Sequence, residues 1–375
     1  MREPFIKSSL MRLLLPVLVL FIISGCGQNA TPSPTAAPPT AIPPTATLPA
    51  STPTAAATAT PAATATVAIP EGSFANPVLR SDFPDPGLLF IDGVYYAYAT
   101  NSEGKNVQMA KSIDLVDWTM LPDALPALPS WANTDFGFVW APEVIKISDR
   151  YVLYYVARVK DTSTQCIGVA TSDKPEGPFT DANDKPSICQ MGSGGSIDPS
   201  PFLDGDKLYL YWKNDGNCCG SITYIYEQEL APDGLGLMGE PVKLVSNDKR
   251  WEGLVVEAPT MWKQGDAYYL FFSANNYASV DYAIGYATCE SAAGPCKDAA
   301  ENPILKTKIG QPPAIGPGHQ TIVLDKDGET WMVYHVWAVP TNGQLERRFM
   351  WLDRLTWEDG KPHVHGPTTA PQPDP

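Results

Sequence analysis

The sequence predicts an all-β protein, a five-bladed β-propeller occupying residues 71–375. Three observations predict it. One plan, a short apolar strand, a turn bearing Asp or Gly and an aromatic-rich strand, occurs five times at intervals of roughly 55–63 residues. The turns have the composition of β-hairpins. Helical periodicity is hard to find anywhere in this region. A β-sandwich would give no reason for a fivefold repeat.

The first copy runs from Asp85 through the Asp92-Gly93 turn to Tyr96, and the second from Ala141 through Ser148 to Tyr155. The third opens at Asp198, turns at Asp204-Gly205 and continues to Trp212; the fourth opens at Ala258, turns at Gln264-Gly265 and continues to Phe272. The fifth opens at His319, turns between Asp325 and Gly328 and ends at His335. A third strand follows each hairpin: Val107 to Ala110, Ile167 to Thr171, Tyr224 to Gln228, Ile284 to Thr288 and Met350 to Leu355. About four strands per repeat is the arithmetic of propeller blades.

In a propeller the first strand of each blade lines the axis, so the residues opening those strands ring one end of the channel. Here they are Asp85, Ala141, Asp198, Ala258 with Glu257 just before it, and His319. Three carboxylates gathered at one channel mouth are costly unless they are used or compensated. Two carboxyl groups facing each other can hydrolyse an acetal, one ionised to activate water and one protonated to release the leaving group. A third raises the pKa of the acid by like-charge repulsion. Taken singly, Asp85-Pro86 and Asp198-Pro199 are also ordinary turn chemistry. Glu143, Asp82 and Glu252 read as structural acids, and His335, His363 and His365 attract no role.

These residues carry a resemblance. Asp82-Phe83-Pro84-Asp85-Pro86-Gly87, Ser196-Ile197-Asp198-Pro199-Ser200 and Val255-Val256-Glu257-Ala258-Pro259-Thr260-Met261 resemble glycoside hydrolase family 43. Trp140-Ala141-Pro142-Glu143, Tyr211-Trp212-Lys213-Asn214-Asp215 and Gly316-Pro317-Gly318-His319 are similar to it too, in the correct order over about residues 74–366. The resemblance implies hydrolysis of arabinose- or xylose-containing plant polysaccharide with inversion. It implies Asp85 as general base, Glu257 as general acid and Asp198 as pKa modulator. It implies an arginine on a substrate hydroxyl or on the catalytic carboxylates, just before the strand that ends at Trp357; strand alternation lets only one of Arg347 and Arg348 point inward, and the spacing to Trp357 favours Arg348. It also implies a calcium near His319, held directly or through water; a buried, hydrogen-bonded histidine is the other reading. No cofactor is needed for the chemistry. Trp140 serves either sugar stacking or blade packing. Two other functions stay open: a non-catalytic carbohydrate-binding propeller, and a propeller glycosidase acting on a different sugar.

The N-terminal part cannot contribute to a core. Residues 1–26 carry Arg2, Lys7 and Arg12, an apolar run from Leu13 to Ile23, and the ending Ile23-Ser24-Gly25-Cys26. This resembles a bacterial lipoprotein signal, which implies acylation of Cys26 and anchoring at the cell surface or in the periplasm. Residues 27–70 are almost entirely Ala, Thr and Pro, a composition that cannot offset its ordering entropy. At about 3.1 Å per residue in polyproline geometry this tether spans on the order of 100 Å.

The net charge of −15 argues against nucleic acid or anionic lipid as a partner, leaving the lipid anchor as the membrane contact. The expected partner is carbohydrate and the expected state a monomer. Six cysteines remain beyond Cys26, an even set that suggests disulfides outside the cytosol. Cys289–Cys296 is the first expected pair. The adjacent Cys218 and Cys219 either bridge each other or pair elsewhere.

Overall fold

The computed structural model describes residues 69–134, 138–310, 313–338 and 345–375. The leader with Cys26 and the tether up to residue 68 lie outside the described residues.

Five antiparallel sheets follow one another along the chain as the blades of a propeller. Their inner strands are Gly87–Ile91, Val139–Ile147, Ser196–Asp204, Val256–Gln264 and Ile315–Leu324. Each inner strand touches the next, and the fifth touches the first, which closes the ring. Blades one, three and five have four strands. Blade two has three among the described residues, its outer edge reduced to isolated bridges at Thr171–Thr180 and Ile167–Ile188. Blade four carries a fifth, the short Leu305–Lys306.

Each blade is sandwiched between two neighbours, so its middle strands are buried on both faces. That is why they read as apolar runs rather than alternating patterns. Arg150–Arg158 is buried from Tyr151 to Ala157 without interruption. Five separate apolar clusters result, each wedged between one pair of neighbouring blades. Tyr98, Leu153 and Tyr155 sit between blades one and two, for example, and Tyr211, Val256 and Phe272 between three and four.

The ring closes by the segment before the first blade. Val78 N–H donates to Met350 O at 3.0 Å and Phe83 N–H to Arg348 O at 2.8 Å. Asn76 brackets Leu352 with both ends of its amide, at 2.9 Å each. Near the terminus, Ser73–Phe74 pairs with Gln372–Pro373.

All six of these cysteines are bridged: Cys166–Cys189, Cys218–Cys219 and Cys289–Cys296. The expected Cys289–Cys296 pair is present, and the adjacent pair bridges itself.

Candidate active site

Every blade enters its inner strand through one residue with a left-handed backbone: Asp85 (φ 57°), Ala141 (44°), Asp198 (56°), Ala258 (52°) and His319 (50°). These are the five axial positions read from the repeat. Non-glycine residues adopt this conformation only under constraint, and such strain gathers at functional sites. In blades two to five the hairpin register also slips at or beside this residue. Such a bulge re-aims the neighbouring side chains.

The residue preceding each of these faces a matching position on its blade's second strand. The five matching residues are Thr100, Val156, Lys213, Ser273 and His335. Four of them reach the next blade round the ring. Thr100 Oγ1 accepts Ala141 N–H at 2.9 Å, and Ser273 Oγ accepts His319 N–H at 2.8 Å. His335 Nδ1 accepts Asp85 N–H at 3.3 Å, and Lys213 Nζ donates to Glu257 Oε2 at 2.9 Å. This second ring thus fixes the strained entry of one blade from the body of another.

Asp85, Asp198, Glu257, Arg348, Trp140 and His319 all line one cavity of about 370 Å³ at the channel mouth. Asp85 is held on both oxygens. Thr100 Oγ1 donates to Oδ2 at 2.5 Å and Arg348 Nη1 to Oδ1 at 2.8 Å. His319 Nδ1 and His335 Nδ1 stand 3.5 and 3.2 Å from Oδ1. Burial pushes the Asp85 carboxyl up, but the Arg348 guanidinium, with His319 behind it, more than offsets this and holds it well below the usual range. Asp85 is therefore ionised at neutral pH. His335, fully buried, is pushed down to about 4 by burial and stays neutral.

Asp198 has the opposite bias. Burial pushes it up to about 6, with the Glu257 charge adding and His319 and Lys213 opposing. Its Oδ2 accepts Ala258 N–H at 2.9 Å, which ties blade three to the residue after Glu257. Glu257 takes two donors: Lys213 Nζ on Oε2, and Tyr282 Oη on Oε1 at 2.8 Å. For Lys213, burial lowers the pKa, but Glu257, Asp198 and Asp215 raise it more, so the ammonium is charged.

Arg348, not Arg347, points inward. Asp82 Oδ1 accepts its backbone N–H at 2.8 Å, and its guanidinium lies over the rings of Tyr277 and Trp337 at 5.1 and 5.5 Å. Asp82 is thus structural, as read from the sequence. Trp140 does two things: it lines the cavity and packs on the apolar cluster between blades two and three.

Two motif glycines are explained by close approach. A Cβ at Gly318 would fall 1.8 Å from Cε1 of Tyr282. One at Gly87 would fall 2.5 Å from Pro142 O and 2.8 Å from the Glu143 carboxyl. Burial against this wall pushes Glu143 up to about 8.

The donors around His319 make a poor cation shell. Its ring offers one nitrogen to the site, and the carboxylate facing it is already paired with Arg348. Among the described residues no trio of His, Cys, Asp or Glu side chains converges there. Calcium prefers several oxygens, so one at His319 would take its remaining ligands from water.

Beyond Glu257, Asn217 and Tyr277 the cavity adjoins a second cleft, of about 660 Å³, which runs past Asn275 to the exposed Leu254. Cys218 of the adjacent disulfide stands at the cavity wall.

The family model for Glycosyl hydrolases family 43 matches residues 74–362. A "probable arabinan endo-1,5-alpha-L-arabinosidase C" of Aspergillus flavus is 30% identical over 309 residues, covering 75% of this chain and 90% of the relative. The crystal structure of a thermostable family-43 glycoside hydrolase superposes with a TM-score of 0.73 at 34% identity, covering 80% of this chain and 99% of that one. An endo-1,4-β-xylanase from Bacteroides thetaiotaomicron superposes with a TM-score of 0.67 at 28% identity, covering 80% and 99%. With the family pattern running through all five blades over residues 74–362 and its acids gathered in one cavity, the chain belongs to glycosyl hydrolases family 43 and is a glycoside hydrolase.

Proposed function

We propose that the protein hydrolyses arabinose- or xylose-containing plant polysaccharide with inversion of the anomeric carbon, Asp85 acting as base and Glu257 as acid. The observation that carries this reading is the opposite bias of neighbouring carboxyls in one cavity: Asp85 held ionised, Asp198 raised to about 6 beside Glu257. Asp85 takes a proton from a water, whose oxygen forms the new bond to the anomeric carbon. Glu257 gives its proton to the glycosidic oxygen as the old carbon–oxygen bond breaks. Solvent then restores both groups. Asp198, on the adjoining blade, is the proposed pKa modulator and holds the Ala258 N–H beside the acid. Arg348 anchors Asp85 and meets a sugar hydroxyl, and Trp140 offers its ring to a sugar face. A water-ligated calcium at His319 would add positive charge and ordered water near the axis; the proton transfers are complete without it.

The cleft beyond Glu257 supports cleavage within a chain rather than at its end. Glu257 faces the leaving group, so sugars on that side would lie past Asn275 and Leu254. The relatives' printed activities, on arabinan and on a β-1,4-xylan, support the pentose class. A panel of nitrophenyl glycosides, linear arabinan and xylan tests the substrate. Release of long oligosaccharides is expected, and release of single sugars alone would reject internal cleavage.

Secretion and anchoring rest on the leader and on three disulfides in the propeller. Acylation at Cys26 would place the enzyme on the cell surface or in the periplasm, held on its tether as a monomer. Cys26→Ala should release the protein from membranes and change its N-terminal processing; unchanged partitioning would reject the anchor.

A further inference from the structure

Away from the catalytic cavity, three carboxylates meet where the segment leading into blade four crosses that blade's outer edge. Asp248 and Glu252 belong to the segment around the single helical turn Arg250–Glu252, and Asp298 ends the outer strand Cys296–Asp298. One oxygen from each lies within 4.8 Å of the others.

Their hydrogen bonding is incomplete. Glu252 is 0% exposed. Its Oε2 accepts Lys249 N–H at 2.7 Å, but its Oε1 is buried without any partner. Asp298 Oδ1 is likewise buried and unpartnered. The Lys249 ammonium touches Asp248 Oδ1 at 2.5 Å and Asp298 Oδ2 at 3.5 Å, and among the described residues no ion pair joins it to the Glu252 carboxylate. Its side chain is 50% exposed, so it can swing into solvent. Burial pushes Glu252 up to about 7, and the charges of Asp298 and Asp248 add to this.

We propose that Asp248, Glu252 and Asp298 form a divalent-cation site of the calcium type, separate from the axis. Burying carboxylate oxygens without partners is costly, and a dication satisfies several at once. An all-oxygen donor set with an exposed side open to water suits calcium, which takes 6–8 oxygens in flexible geometry. The ion would join two parts of the chain. Glu252 O accepts the N–H groups of Val255 and Asn275 at 3.2 and 3.1 Å, so the bound segment leads directly into the strand carrying Glu257. The other side is the strand that Cys289–Cys296 already braces. The site would therefore stabilise the approach to Glu257 without touching substrate.

Thermal unfolding of the whole chain, stripped with chelator and then titrated with calcium chloride, tests this. Saturating calcium should raise the wild-type Tm on the order of 5 °C. Asp298→Asn and Glu252→Gln should remove most of that rise, and in chelator they should melt at or above the wild type because carboxylate repulsion is relieved. Asp248→Asn, at the exposed position, keeps the fold and should weaken calcium affinity at least tenfold. No rise in the wild type would overturn the proposal, with Glu252 then simply holding a proton. An equal rise in the wild type and all three variants would also overturn it, since the responsive ion would lie elsewhere.

Discussion

The Lys213 ammonium, with none of its side chain exposed, meets Glu257 Oε2 at 2.9 Å, while Tyr282 holds the other oxygen. The pair spans blades three and four. Lys213 belongs to the ring of second-strand residues that serve the next blade, so the proposed acid is oriented from outside its own strand. Lys213 Nζ also donates to Asn217 Oδ1 at 2.7 Å, which fixes its position. Lys213→Met should lower kcat at least about 100-fold and destabilise the fold by about 3–5 kcal/mol, the cost of removing one partner from a buried pair. Urea unfolding beside steady-state kinetics measures both. Normal kcat in a folded variant would show that Lys213 does not position Glu257.

Gly318 is set by Tyr282. Its missing side chain makes room for a ring that would otherwise lie 1.8 Å from a Cβ. Gly318→Ala should cost about 1–3 kcal/mol through overpacking. It should also lower kcat more than tenfold by moving the hydroxyl away from Glu257. Tyr282→Phe separates the two effects: it should lose activity with little loss of packing. If Gly318→Ala keeps full activity, the contact has no catalytic consequence.

Arg348 and Asp85 predict a shifted pH profile. Asp85 serves only when ionised, and Arg348 is the strongest charge favouring that form. Removing the guanidinium lets a proton bind at higher pH. The acid limb of kcat/KM should therefore move upward in Arg348→Met, with kcat/KM falling about 100-fold or more at neutral pH. Arg348→Lys should restore part of the limb but less of the rate, because an ammonium lacks the planar fork. An acid limb that stays in place would detach Arg348 from Asp85.

Asp198 exchanges stability for function. Its folded pKa, about 6, lies above the ordinary 3.8, so the folded state holds the proton more tightly than the unfolded chain. That favours folding below about pH 4 and is lost as pH rises through 6. Above pH 6 the ionised carboxylate is a net cost. Asp198→Asn, whose amide oxygen can still accept Ala258 N–H, should raise stability at pH 7 by on the order of 1–3 kcal/mol. The gain should vanish near pH 4 while activity falls at every pH. A variant less stable at pH 7 and equally so at pH 4 would contradict the sign.

Much of this was legible in the sequence because the repeat puts equivalent residues at equivalent places. Aligning the first strand of each copy located Asp85, Asp198, Glu257 and His319 together at the axis. The second strands carry a part of the site that the first strands do not show. Thr100, Lys213, Ser273 and His335 stand at matching positions in four of the five copies, with Val156 in the fifth. Their period was visible, but their reach into the next blade is a tertiary fact. His335, to which the sequence alone assigns no role, is wholly buried against Asp85. Tyr282 comes from outside both aligned strands, between Ala267–Ala274 and Ala283–Cys289, so no repeat position pointed to it. Glu252, read as a structural acid, gave no sign of Asp298, 46 positions later, because their meeting depends on where the outer edge of blade four folds back.

The acid role of Glu257 predicts a dependence on leaving group. A sugar alcohol is a poor leaving group and needs its oxygen protonated as the bond breaks, whereas a dinitrophenolate departs without help. Glu257→Gln preserves shape, and its amide oxygen can still accept from Lys213 or Tyr282, but it has no proton to donate. The variant should lose about 1,000-fold or more in kcat/KM on arabinan or xylan oligomers and keep most of its rate on dinitrophenyl glycosides. Asp85→Asn should fall on both substrate types alike, because water needs activation whatever departs. Proton NMR of the first sugar released by the wild type should show the inverted anomer, since blades one and four are not neighbours in the ring and the two acids can face each other with room for a water between them. Equal losses on both substrates in Glu257→Gln would remove the acid assignment. A retained anomer, or a sugar trapped on Asp85, would make Asp85 a nucleophile and replace direct attack by water with a two-step displacement.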